Sequence, residues 1–254
     1  FREGLFEQDG QWYSFGLHSD MRHRDRRFLE SMIDGGLQAL GAGLAQAKVL
    51  VLTLGTALVF RHVEQDEIVA NCHRAPASAF RQEMLTVAEV EAVILELVDE
   101  LKEVNPDMQV MLTVSPVRHL RSGIVESSAS KSMLRAACHT LTHNHPSVHY
   151  FPAYELLLDD LRDYRFFQSD LMHPTEMAET YIWEKFSTTY LSPEARDLNT
   201  QLAQALKDLA HRPRDPRSDA HRTFLQRLEA KLQTLNNHVN LSLELQEIRE
   251  RMRR

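Results

Sequence analysis

The sequence predicts an α/β fold, a parallel sheet wrapped by helices with a helical C-terminal extension, and two observations carry that prediction. Three apolar runs, 48–54 (KVLVLTL), 109–114 (QVMLTV) and 148–151 (VHYF), alternate with amphipathic helical patterns in the order that βαβ units produce. From about Ser192 the strand signal ends and only helical spacings of apolar residues continue. The chain therefore reads as an α/β domain over 1–191 and a helical extension over 192–254.

Each apolar run is hydrophobic nearly throughout and stops at Gly, Pro or a polar turn, which predicts strands covered on both faces. Asp20 to Ala47 carries Phe28, Met32, Leu37 and Leu40 as the stripe of a first helix. A hairpin is expected after Gly55-Thr56-Ala57. Thr86 and Glu89 form a capping box that opens a helix to Val104, with Val90, Ile94, Val98 and Leu101 facing the core. Ser130 to Leu141 is the helix after the second strand. In 168–183, QSDLMHPTEMAETYIW, Pro174 suits a first helical turn, Glu176 the positive end of the dipole, and Met177, Tyr181, Ile182 and Trp183 a buried stripe.

Beyond Ser192, Leu198, Leu202, Leu206 and Leu209 mark one helix, which the stretch 212–218, RPRDPRS, breaks. Leu225, Leu228, Leu232, Leu235 and Val239 then recur at spacings of three and four, and after a shift Leu245, Ile248 and Met252 restart the stripe. An exposed row of leucines would be unstable and sticky, so residues 220–239 are expected to bury it against another helix. That helix is either the 198–209 segment folded back on it or its copy in a second subunit, which leaves a homo-oligomer through the C-terminal helices open.

Composition narrows the function classes. At 254 residues, 43% hydrophobic and 26% charged, the chain can bury a full core. The net charge of −7 argues against general nucleic-acid binding, and the basic end 249–254 suits a helix terminus. No apolar run is long enough for a membrane span. Cys72 and Cys138 stand far apart in no CxxC spacing, which suggests a reducing, cytoplasmic compartment and no disulfide framework.

In parallel sheets the loops at the carboxyl ends of the strands gather the functional residues. Here those loops hold Gly55, Asn71 and His73 after the first strand, Ser115, Arg118 and His119 after the second, and Asp170 and His173 after the third, all expected at one rim. A carboxylate three residues before an imidazole can hold one ring nitrogen while the other faces outward as a base. Asn71 and His73 would share a face if extended, lining a pocket or a plain hairpin edge. Arg118 suits an anionic or sugar substrate, or an ion pair with Glu126 or Asp170. Ser19 reads as a helix cap. His139 and His143 sit one turn apart as zinc ligands would, but they also lie at a helix end where histidine favours the dipole, and no metal or other cofactor is expected.

The blocks QDGQWYSFGLHSD, TLGTALVFRHVEQDEIVANCHRAPASAF, LTVSPVRHLRSGIVESSASKSML and YFPAYELLLDDLRDYRFFQSDLMHPTEMAETYIWEKF, taken in this order over roughly residues 8 to 190, resemble the GSCFA family of SGNH-hydrolase-like proteins. The resemblance implies a three-layer α/β/α sandwich and a serine-centred esterase site, with His173 as base and Asp170 orienting it. It further implies oxyanion help from Gly55 and, beyond the hairpin, from Asn71, with His73 beside it lining the pocket, while Arg118 remains a candidate substrate contact from its place after the second strand. The Gly-Ser-Cys-Phe-Ala stretch that gives the family its name, and with it the nucleophile, does not occur in these residues. The expected function is hydrolysis of an acyl ester, such as an acylated carbohydrate, by a serine upstream of Phe1. The alternative is a non-catalytic binding or assembly module that recruits a partner through its C-terminal helices.

Overall fold

A computed structural model of the chain describes residues 4–213, 215 and 218–252. They fall into two compact units, one ending at Ile182 and one beginning at Trp183. The first is mixed α/β; the second is all-helical. No described helix is long and apolar enough to cross a membrane.

The first unit opens on a hairpin, β1 (Leu5–Gln8) and β2 (Gln11–Ser14). Its two-residue turn is Asp9-Gly10 with φ of 51° and 72°, the left-handed pair that a tight hairpin needs. The helix α1 (Arg26–Gln46) follows, capped by Asp25, whose side chain accepts the Phe28 N–H at 3.0 Å. It starts six residues later than the pattern suggested, and it buries Leu29 and Ile33 while Phe28, Leu37 and Leu40 stay about half exposed. Leu44 in its last turn packs on the main core as well, so the expected stripe is not the one that is covered.

The parallel sheet has the order β3 (Val49–Leu54), β7 (Gln109–Val114), β8 (Val148–Tyr150). Between β3 and the capped helix α2 (Val87–Val104) the chain inserts an antiparallel sheet of β4 (Leu58–His62), β5 (Glu67–Val69) and β6 (Phe80–Met84), with β4 in the middle. The capping box of Thr86 and Glu89 forms as the sequence indicates. The helix α3 (Ile124–Asn144) joins β7 to β8. Val90, Ile94, Val98 and Leu101 of α2 and Leu134, Ala137, Cys138 and Leu141 of α3 close over Val110, Leu112 and Val114 in one core. Burial of each Val, Leu or Ile side chain among these contributes about 1.5 to 3 kcal/mol.

Coverage on both faces holds for β7, the central strand, but not for β3. Val49 and Val51 are 48% and 47% exposed, and only the alternate residues Leu50, Leu52 and Leu54 pack on the core. An edge strand is hydrogen-bonded on one side, and its apolar run does not by itself require a second covered face.

After β8 the chain makes the short α4 (Ala153–Glu155), a π-helical turn over Leu156–Leu161, and then α5 (Glu176–Tyr190). Leu157, Phe166, Phe167 and Ala178 form a small core beneath this region. Pro174 lies outside α5, in a bridge with Phe167, and Met177 and Trp183 are 66% and 45% exposed. The buried residue of α5 is Ala178, and of the expected stripe Ile182 packs against this small core while Met177 and Trp183 do not.

The second unit contains α6 (Pro193–Ala210), α7 (Asp219–Leu235) and α8 (Ser242–Met252). Ser192 caps α6 ahead of Pro193, and Ser218 caps α7. Leu225, Leu228, Leu232 and Leu235 are all buried, packed with Ala205 and Leu209 of α6 and with Leu245 and Ile248 of α8. The stripe is thus covered by the chain's own helices, and no second subunit is needed to cover it. Of the α6 stripe only Leu206 is exposed; Leu198, Leu202 and Leu209 pack on this core, with Ala205 beside them. Residues 214, 216 and 217 of the Pro-broken stretch and residues 253 and 254 of the basic end lie outside the described residues.

Candidate functional site

His173 and Asp170 form a pair on the loop between the small core and α5. The loop is closed at its base by backbone bonds, Gln168 N–H to His173 O at 2.8 Å and Thr175 N–H to Phe166 O at 2.9 Å. Within it, Asp170 Oδ1 accepts the N–H groups of Met172 and His173 at 2.9 and 3.0 Å, while Oδ2 lies 2.6 Å from His173 Nδ1. These contacts, led by the imidazole bond, hold the Asp170 carboxyl down at about 2. The ionised carboxylate can only accept, so Nδ1 carries a proton, and in the neutral imidazole the lone pair falls on Nε2. Both side chains reach solvent. Leu171, between them, takes a left-handed φ of 58°, which a branched-chain residue adopts only when its surroundings impose it.

The loop after β7 reaches this pair. Arg118 Nη1 donates to the Leu171 carbonyl at 3.3 Å, and its guanidinium lies 5.0 Å over the ring centre of Phe167. It thus makes neither of the expected ion pairs, with Glu126 or with Asp170. One residue on, His119 faces Gly55: a Cβ built on Gly55 would stand 3.6 Å from its Nε2, an ordinary contact. Burial, and after it the charge of Lys131, holds the His119 imidazole below its usual range.

Behind Gly55 sits a group that the apolar spacing of α3 conceals. Lys131 is 4% exposed, and its ammonium donates to the carbonyls of Gly55 at 2.6 Å and Ser115 at 2.5 Å. Burial lowers its pKa to about 8. Beside it, Ser130 Oγ accepts the Ala57 N–H at 2.7 Å and bonds Thr56 Oγ1 at 2.9 Å. The sequence signal is the polar set Ser127, Ser130 and Lys131 at the core spacing that continues in Leu134, and it pins the turns after β3 and β7 together.

Asn71 and His73 are not gathered with the pair. They belong to a turn, not a strand, and His73 and Arg74 have consecutive left-handed φ values of 47° and 62°. The alternation argument fails there because the backbone is not extended. Asn71 Nδ2 donates to Ser19 Oγ at 3.0 Å, which also gives Ser19 a partner other than a helix end. His73 Nε2 donates to the Ser14 carbonyl at 2.6 Å, and its ring lies among Phe6, Tyr13 and Phe15. Its Nδ1 is buried with no partner among the described residues. None of the described hydrogen bonds of these two side chains reaches residues 168–173.

His139 and His143 stack with ring centres 6.4 Å apart, and among the described residues no group of three or more His, Cys, Asp or Glu is gathered as a metal site would require. Burial raises the Cys72 thiol, which works against a reactive thiolate.

No curated protein matches the chain. Two family models do: the GSCFA family over residues 2–186, which includes β1 to β8 and the Asp170–His173 loop, and the GSCFA domain protein, C-terminal domain, over residues 202–254. With the first model spanning well over half of its length, this chain belongs to the GSCFA family.

Proposed function

We infer that the α/β unit is an SGNH-like esterase domain of three-layer α/β/α type, hydrolysing an acyl ester such as an acylated carbohydrate, with His173 as general base and Asp170 orienting it. The observation that carries this reading is the 2.6 Å contact between Asp170 Oδ2 and His173 Nδ1, with Nε2 left unpartnered among the described residues. The nucleophile in this reading is the serine of a Gly-Ser-Cys-Phe-Ala segment, which these 254 residues do not contain. Its hydroxyl proton passes to His173 Nε2 as Oγ bonds the ester carbonyl carbon. The imidazolium that forms is stabilised by Asp170, and it returns the proton to the departing alkoxide as the ester C–O bond breaks. Water then releases the acyl group from the serine with the same base.

The Gly55 carbonyl is tied back to Lys131, which fixes the Gly55–Thr56 peptide in direction, and this reading places an oxyanion contact at that turn. Asn71 and His73, held by the N-terminal hairpin, receive no role in these steps. The test uses protein that carries the Gly-Ser-Cys-Phe-Ala segment and short acyl esters. Hydrolysis should fall about 100- to 10,000-fold in His173→Ala. An unchanged rate in that variant would remove His173 from the chemistry, and no hydrolysis in the parent protein would favour the binding-module alternative.

A further inference from the structure

Beside the Asp170–His173 loop is a cavity of about 200 Å³ lined by Arg118, Leu157, Leu158, Arg162, Tyr164 and Phe167, with Asp163 at its wall. Its size is below that of a drug-sized pocket, so it admits one ring-sized group and not a long chain. Its floor is apolar: Leu157 is fully buried and Phe167 nearly so. Tyr164 is 65% exposed and offers a ring face with a hydroxyl at its edge.

The charges of the lining do not balance each other alike. Arg162 is 3.5 Å from Asp159, an ion pair of its own. Asp163 is engaged as a cap, accepting the Arg165 N–H at 2.9 Å. Arg118 has no carboxylate within ion-pair distance among the described residues, and of the five N–H groups of its guanidinium only one is used, toward the Leu171 carbonyl. Phe167 covers one face of its plane. What remains is a fixed, planar fork with one uncompensated positive charge, facing a small apolar and aromatic cavity.

We propose that this cavity binds a ring bearing a single carboxylate and hydroxyl groups, a sugar acid, as the non-reacting part of the ester substrate. The proposal rests on the esterase reading only for the words "of the ester substrate"; the binding itself stands without it. A carboxylate matches the fork of Arg118 in two parallel bonds. A phosphate monoester, with close to two charges, would set its second charge against Asp163. Because Arg118 also holds Leu171, a ligand on Arg118 sits within one side chain of the peptide that separates Asp170 from His173. In the esterase reading, a group held on Arg118 is thereby tethered next to the loop that carries the dyad.

The test is calorimetric titration of the full 254-residue chain with glucuronate, glucose and glucose 6-phosphate at physiological salt. Glucuronate is expected to bind at least tenfold more tightly than either of the others. Arg118→Gln should abolish that preference. Asp163→Asn, which keeps an acceptor for the Arg165 N–H, should strengthen glucuronate binding severalfold and leave glucose unchanged. Tyr164→Ala should weaken both sugars alike. Equal affinity for glucose and glucuronate, a preference for glucose 6-phosphate, or an unaltered preference in Arg118→Gln with native circular dichroism would overturn the proposal. Hydrolysis of a neutral acetyl ester, measured separately in protein with the Gly-Ser-Cys-Phe-Ala segment, bears on the esterase reading alone. Binding without hydrolysis sinks that reading and leaves the cavity; hydrolysis without binding does the reverse.

Discussion

Lys131 donates to the carbonyl of Gly55 at 2.6 Å, across 76 positions of sequence, and so a buried ammonium on α3 fixes the turn that leaves β3. The ammonium has only backbone carbonyls as partners, Gly55 and Ser115, and no carboxylate offsets its loss of water. Its pKa accordingly falls from 10.5 to about 8.

That shift gives a pH dependence of stability with a definite sign. Between about 8 and 10.5 the unfolded chain keeps a proton that the folded one has lost, so the Lys131 contribution rises with pH across this window. Measured against Lys131→Met, the wild-type chain should gain on the order of 3 kcal/mol as pH passes from below 8 to above 10.5. Taking the difference between the two proteins cancels the opposite effects of Cys138, raised to about 11, and of Tyr150, raised further. Urea unfolding at several pH values reads the result, and a difference that does not change with pH would refute the buried charge.

Leu171 holds a left-handed backbone with its side chain about half exposed. A non-glycine residue in that region costs about 1 to 2 kcal/mol, while glycine loses about 0.5 to 1 kcal/mol through greater freedom in the unfolded chain. Leu171→Gly should therefore leave stability unchanged or raise it by up to about 1 kcal/mol, and Leu171→Val should lower it. Thermal unfolding of the two variants decides, and a glycine variant less stable than the valine one would show that the loop stores no such strain.

Leu232 is fully buried at the centre of the α7 stripe. Truncation to alanine should cost about 2 to 5 kcal/mol, felt in the helical unit that begins at Trp183. Because α6 and α8 of the same chain cover the stripe, Leu228→Asp/Leu232→Asp should lose helical circular dichroism. A double variant that keeps full helicity but halves its mass by light scattering would instead place the stripe between subunits.

Much of the fold was legible because its signals are local. The capping box at Thr86 and Glu89, the α2 stripe and the apolar run of β7 each depend on neighbours within one or two turns or within one strand, and each appears as written. Asp9-Gly10 carries an equally local hairpin signal in its two left-handed residues. The Asp170–His173 pair was legible for the same reason, since three residues suffice to bring carboxylate and imidazole together.

What the sequence determined by itself was thus the alternation of strands and helices from β3 to α5, the cap of α2 and the pairing of Asp170 with His173, all set by contacts between residues close in the chain. Tertiary structure alone decided the rest. It left β3 at the sheet edge with Val49 and Val51 exposed, carried Asn71 and His73 to the N-terminal hairpin, and drew Lys131 beneath Gly55 and Arg118 onto Leu171. The spacing of apolar residues says that a face will be buried; which face, and beside which distant residue, depends on how distant segments meet, and no local pattern encodes that.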